Sequence, residues 1–293
     1  LGFLVILLQA NTCKNLKANL IFRVMKILLN DRVVIEVSGA DSAKLLQGII
    51  TNNVALLESQ PAIFSALLSP VGKFLHDFFV VKFGDKLLLD VEARQAEDLI
   101  AMLTKYRLRA KVSFKILPDW RVYSLQSPLN AAYDELLFND PRHPDMGLRL
   151  LSAKEYVSDA NLDDYHYMRI NCALPEGLHD LIYDKSYLLE NNYDLIQAID
   201  FNKGCYIGQE VTARAKYRGV VRKKIYKVRS INGEALPSGA NVQTSDGIIL
   251  GEMRSCVNDV GLAQLRVEEL QEAQQYGSTI FCDNTALYIN FPK

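Results

Sequence analysis

Short β-branched and apolar runs, separated by stretches whose apolar positions recur at helical spacing, organise the chain from Met25 onward. Arg32 to Val37 (RVVIEV) reads as a strand. The SGAD that follows supplies a turn and a cap, and Leu45, Leu46, Ile49 and Ile50 then share one helical face. Ala62 to Phe83 predicts two strands joined at Pro70, Val71 and Gly72, with Asp77 inside the second. Lys86 to Val91 predicts another strand, Ala93 to Tyr106 a helix, and Ala110 to Leu117 and Arg121 to Ser127 two more strands. This order implies an α+β fold with an antiparallel sheet and helices on one side. Asn130 to Leu151, rich in Pro and Asp, reads as a loop, and its isolated His143 is given no role. A helix is expected over Asn161 to Ile170, and the first turns of another over Gln209 to Lys216. After Gly219 closely spaced strands and turns predict a small barrel or sandwich.

Length and composition narrow this only a little. A chain of 293 residues holds two or three modest domains, and 49% hydrophobic with 23% charged residues describes an ordinary globular protein rather than a disordered one. Five cysteines (Cys13, Cys172, Cys205, Cys256, Cys282) show no CxxC spacing and no Cys/His grouping, so neither a disulfide framework nor a structural zinc site is expected. A reducing compartment fits. LGFLVILL at the start lacks the basic residues of a signal peptide and is far shorter than the ~20 residues that cross a bilayer. Residues 1–24 read first as an upstream extension, and second as a degenerate targeting segment.

The chemistry concentrates between Asp200 and Gly219, DFNKGCYIGQEVTARAKYRG. Cys205 follows Lys203 and Gly204, and fixed positive charge or a helix N-terminus favours the reactive thiolate. From Lys203 to Arg229 nine basic residues face one acid, Glu210, in a chain whose formal charge is −1. Such a patch concentrates anions. Taken alone, these residues also fit a solvated basic face around a structural cysteine.

KGCYIGQE, with Arg214 and the Arg218–Gly219 pair after it, resembles the signature of the YgfZ-type folate-binding proteins. These are paralogues of the glycine-cleavage T-protein and relatives of a mitochondrial iron–sulfur assembly factor. The resemblance runs through residues 26–293 and includes a helix ending in T-N-x-V (Thr51 to Val54), a GK-x-x-x-D hairpin ending at Asp77, and an E-x-N element at Glu190 and Asn192. It implies a T-protein-like fold: two interleaved α+β lobes over residues 25–218 and a C-terminal antiparallel β-barrel over 219–293, around a central folate-sized opening. Tetrahydrofolate or another reduced folate is the implied cofactor. Glu190 would read the pterin edge, because a carboxylate accepts its paired N–H donors. Asn192, Tyr206, Gln209, Glu210, Arg214, Arg218 and Asp77 would complete the site, Lys203 would attract the folate tail, and Cys205 would be the functional thiol at the rim.

The implied function is to assist iron–sulfur cluster assembly or repair in client enzymes, among them tRNA-modifying ones, with assembly proteins and clients as partners and no resident metal. The setting would be the cytoplasm, or the mitochondrial matrix in a eukaryote. The YTGE-like motif of a true aminomethyltransferase is missing, which ranks a folate-dependent one-carbon transferase second. A nucleic-acid-binding module built on Lys203 to Arg229 ranks third, for want of an aromatic platform beyond Tyr206, Tyr217 and Tyr226.

Overall fold

The computed structural model describes residues 25–290 apart from 128, 130, 133 and 220. Leu1 to Val24, with Cys13, lie outside the described residues.

Three sheets make the body. The first has five antiparallel strands in the order β3-β4-β5-β2-β6: β2 Arg32–Ser38, β3 Ala62–Leu68, β4 Phe74–Phe83, β5 Lys86–Glu92 and β6 Ser113–Leu117. All of β3 is buried, because alternate residues serve two cores. Ile63 and Leu67 pack beneath the helices Ser42–Ile49 and Ala96–Arg107, while Phe64, Ala66 and Leu68 face a second core that includes Tyr193 and Ile196.

The second sheet, β1-β7-β9-β8, joins β1 Lys26–Leu28 to β7 Arg121–Leu125, followed by β9 Leu148–Ser152 and β8 Leu136–Asn139. The pairing of Lys26 with Leu125 brings the start of the chain into the second lobe, so the two lobes are interleaved. β8 and β9 correct the loop reading of 130–151. Their short apolar runs, LLF and LRLL, become strands only by pairing with each other and with β7.

A closed barrel follows, β10-β13-β12-β11-β14-β15: β10 Lys223–Ser230, β11 Asn241–Thr244, β12 Ile249–Val257, β13 Val260–Arg266, β14 Ile280–Cys282 and β15 Thr285–Asn290. Closure leaves no free sheet edge. The helix Val267–Gln275, after β13 Val260–Arg266, is a further correction, since only strands and turns were expected there. The helix Leu162–Asn171 lies against β12 Ile249–Val257 and β13, tying the barrel to the lobes.

Candidate functional site

Cys205 is exposed, on a loop anchored at both ends. Its upstream anchor is the T-N-x-V tract. Thr51 donates its hydroxyl to the Ala198 carbonyl at 2.7 Å, and its own carbonyl accepts Asp200 N–H. Asn52 donates to the carbonyls of Gln197 and Phe64, at 2.7 and 2.8 Å. Lys203 closes the clamp: its ammonium donates to the carbonyl oxygens of Ile50 and Asn52, both at 2.6 Å. Burial pushes the Lys203 ammonium down to about 8, against the opposing pull of Asp200. Lys203 therefore mounts the loop, and its charge faces backbone rather than a ligand.

The downstream anchor is a glycine contact. Gly208, at φ +80°, begins the helix Gln209–Tyr217 and packs on the β3–β4 hairpin. A Cβ at Gly208 would lie 2.6 Å from the Ser69 carbonyl oxygen and 2.8 Å from Leu68 Cβ; one at Gly72 would lie 2.9 Å from Val211 Cβ. Gly204, at φ +90°, has open space around it. Tyr206 is buried, its hydroxyl pushed up to about 12 by burial, and its N–H donates to the Gln209 side chain at 3.1 Å. Tyr206 and Gln209 thus hold the loop against the body, leaving Cys205 outside.

The remaining expected site residues do not gather round the thiol as one site. Glu210 and Arg214 are exposed and pair with each other at 2.8 Å. Arg218 is an exposed helix-end residue. Glu190 lines a small hollow of about 180 Å³ with Tyr187, Val211, Thr212 and Ala215. Asn192, at φ +59°, instead lines a cavity of about 510 Å³ with Arg142, Cys172, Ile225 and Lys227. The left-handed turn at Asn192 sends the two members of the E-x-N element into different cavities. The basic patch is also thinned: besides Lys203 and Arg214, Lys216 pairs with Asp194, Arg229 with Asp259, and Lys227 donates to the Asn171 carbonyl.

Asp77 is closed off from the expected folate opening. It is 2% exposed, and Oδ2 accepts Gly177 N–H at 2.8 Å and the Tyr193 hydroxyl at 2.6 Å. Burial raises its pKa, partly offset by Arg32 and the Tyr193 hydrogen bond. It belongs with a sealed set of charges at the junction of the lobes. Glu176 sits among Arg32, Arg142 and Arg169 at 3.3 to 3.6 Å and accepts the Tyr165 hydroxyl at 2.8 Å. Burial opposes its ionisation, yet Arg142, Arg32, Arg169 and Arg149 hold it well below the usual carboxylate range. Asp90 bridges Arg32 and Arg149, Asp140 holds Arg142, and Asp180 holds Arg169. The sequence carried a signal for this set in the charges that interrupt apolar strands, Arg32, Asp90 and Arg149.

The other described thiols are less open: Cys172 and Cys256 are half-buried and Cys282 is buried. Burial pushes Cys172, Cys256 and Cys282 each up to about 11.

The mitochondrial iron–sulfur cluster assembly factor IBA57 of Homo sapiens is 32% identical over 280 residues, which cover 83% of this chain and 78% of the human protein. The IBA57 homologue of Pyricularia oryzae is 32% identical, over 82% of this chain and 71% of its own. The chain belongs to the IBA57 family of iron–sulfur cluster assembly factors. Residues 222–293 match the model of the C-terminal β-barrel domain of CAF17. The fold of this IBA57 family member is that of the glycine cleavage system aminomethyltransferase T from Bartonella henselae, at a TM-score of 0.74 and 15% identity, covering 92% of this chain and 85% of that one. The expected T-protein-like fold is therefore the observed one, and among the resembled proteins the mitochondrial assembly factors are the family shown. No helix among the described residues is long and apolar enough to cross a membrane.

Proposed function

We propose that the protein works in the mitochondrion in assembling or repairing iron–sulfur clusters of client enzymes, and that Cys205 supplies a thiolate directly to the cluster or its carrier. The observation that carries this reading is Cys205 itself, exposed on a loop clamped by Lys203 and Gly208. Clusters are usually held by four thiolates, so one exposed thiol completes a set contributed mainly by a partner. In a strain lacking the native gene, Cys205→Ser is expected to leave cluster-enzyme activities at the level of the deletion, while Cys256→Ser restores them. Full restoration by Cys205→Ser would refute the role.

The ligand assigned to the cavity of about 510 Å³ is a reduced folate, tetrahydrofolate first. That volume lies in the usual range for small-molecule sites, whereas the Glu190 hollow of about 180 Å³ falls below it. One polar atom of a residue bordering the cavity, Asn192 Oδ1, is buried without a hydrogen-bond partner among the described residues. Lys227, whose ammonium donates to the Asn171 carbonyl at 2.8 Å, keeps its charge beside the cavity for the folate carboxylates. Titrating tetrahydrofolate into the full chain should give saturable binding that Asn192→Leu and Lys227→Met weaken; no saturable binding would remove folate from the account. A one-carbon transferase would need an acid within reach of substrate, and sealed Asp77 does not favour it. A nucleic-acid module is disfavoured by the engaged cations of the basic patch.

A further inference from the structure

His143 and Asp145 share one turn, and Cys172 ends the helix Leu162–Asn171 opposite them. One ligand atom from each lies within 4.8 Å of the others. We propose that these three residues form a binding site for a borderline divalent metal ion, zinc or ferrous iron, at the wall of the cavity of about 510 Å³.

The donor set is a thiolate, an imidazole and a carboxylate. That mixture suits zinc and ferrous iron, and it is a poor match for calcium or magnesium, which take oxygen ligands. Bonds of ~2.0–2.3 Å to a tetrahedral ion place ligand atoms roughly 3.5 Å apart, so the group needs only a modest closure. Closure falls on the exposed side. His143 and Asp145 side chains are 37% and 79% exposed on the turn, while Cys172 is fixed by its backbone N–H donating to the Met168 carbonyl at 3.1 Å.

His143 Nδ1 accepts the Asp145 N–H at 3.2 Å, an exposed hydrogen bond that water can replace when the nitrogen turns to an ion. A second His/Asp group, Asp31 with His166 and His179, lacks that freedom: buried His166 accepts Arg169 Nε at 2.9 Å through Nδ1, and Arg169 would lose a buried partner. The cations nearest the first group already have partners, Arg142 in Asp140 and Lys227 in the Asn171 carbonyl. Three protein ligands leave a fourth position open towards the cavity, as in zinc sites that bind a further ligand.

The site is independent of Cys205, and the test keeps the two apart. Cobalt(II) is titrated into the reduced full chain. The expected result is one bound equivalent with thiolate-to-cobalt charge-transfer absorption, displaced by zinc in line with their order of affinity. Cys172→Ser should abolish that absorption without changing the far-UV circular dichroism. His143→Ala and Asp145→Ala should each weaken binding at least about tenfold, given that loss of even an outer-shell partner costs about 10–100-fold. Cys205→Ser should leave the absorption intact. Anaerobic competition with ferrous iron and with zinc then ranks the two ions. Absorption that survives Cys172→Ser, absorption lost in Cys205→Ser, or absence of stoichiometric cobalt binding would overturn the site.

Discussion

Gly208→Ala is expected to cost about 2–5 kcal/mol of stability and to abolish function with the thiol chemically untouched. Left-handed backbone at a non-glycine residue costs about 1–2 kcal/mol. The larger share comes from contact: the new methyl would meet the Ser69 carbonyl oxygen at 2.6 Å and Leu68 Cβ at 2.8 Å, both on the hairpin that supports the thiol loop. Overpacking against backbone typically adds about 1–3 kcal/mol. Gly204→Ala is the internal control. Its φ is also left-handed, at +90°, but its Cβ would meet nothing within 4 Å, so only the backbone cost of about 1–2 kcal/mol should appear. Urea unfolding of both variants checks this. Equal losses at the two glycines would show that the hairpin contact does not hold the loop.

Glu176→Gln should destabilise the fold by about 3–5 kcal/mol, the cost of leaving buried charge uncompensated. The substitution keeps the shape and the link to Tyr165, but removes the anion that Arg32, Arg142 and Arg169 share. Those arginines are buried at 7% exposure or less, out of reach of bulk solvent. The readout is a lower urea midpoint with an unchanged slope. A loss under about 1 kcal/mol would mean that Asp90, Asp140 and Asp180 suffice, and that Glu176 is not the hub.

Much of this organisation was legible in the chain. Alternating strands and helices gave the α+β lobes, turn-rich spacing after Gly219 gave the barrel, and KGCYIGQE singled out the thiol that the structure leaves exposed. What could not be read depends on partners distant in sequence. Ile50 to Asn52 look like the plain end of a helix, yet they hold residues 197–203, nearly 150 positions away, through backbone carbonyls that carry no sequence signature. Lys203 has the composition of an anion trap, and only its two carbonyl partners show it to be a clamp. Glu190 and Asn192 are two residues apart, but a left-handed turn separates their cavities. Likewise His143, Asp145 and Cys172 show no ligand spacing until the turn and the helix end meet.

Cys205, held in the open by its clamped loop, is the thiol proposed above to serve the cluster. Reacting the native, reduced chain with a limiting amount of iodoacetamide near neutral pH, then mapping the label and measuring rescue of cluster-enzyme maturation, tests that role most directly. Cys172, Cys256 and Cys282 are half-buried or buried, and burial pushes each up to about 11, which lowers their share of reactive thiolate, whereas Cys205 is exposed. Label should therefore appear on Cys205 ahead of these three, and maturation should fall in proportion to its occupancy. Label on those three thiols first, or full maturation with Cys205 quantitatively alkylated, would contradict the account.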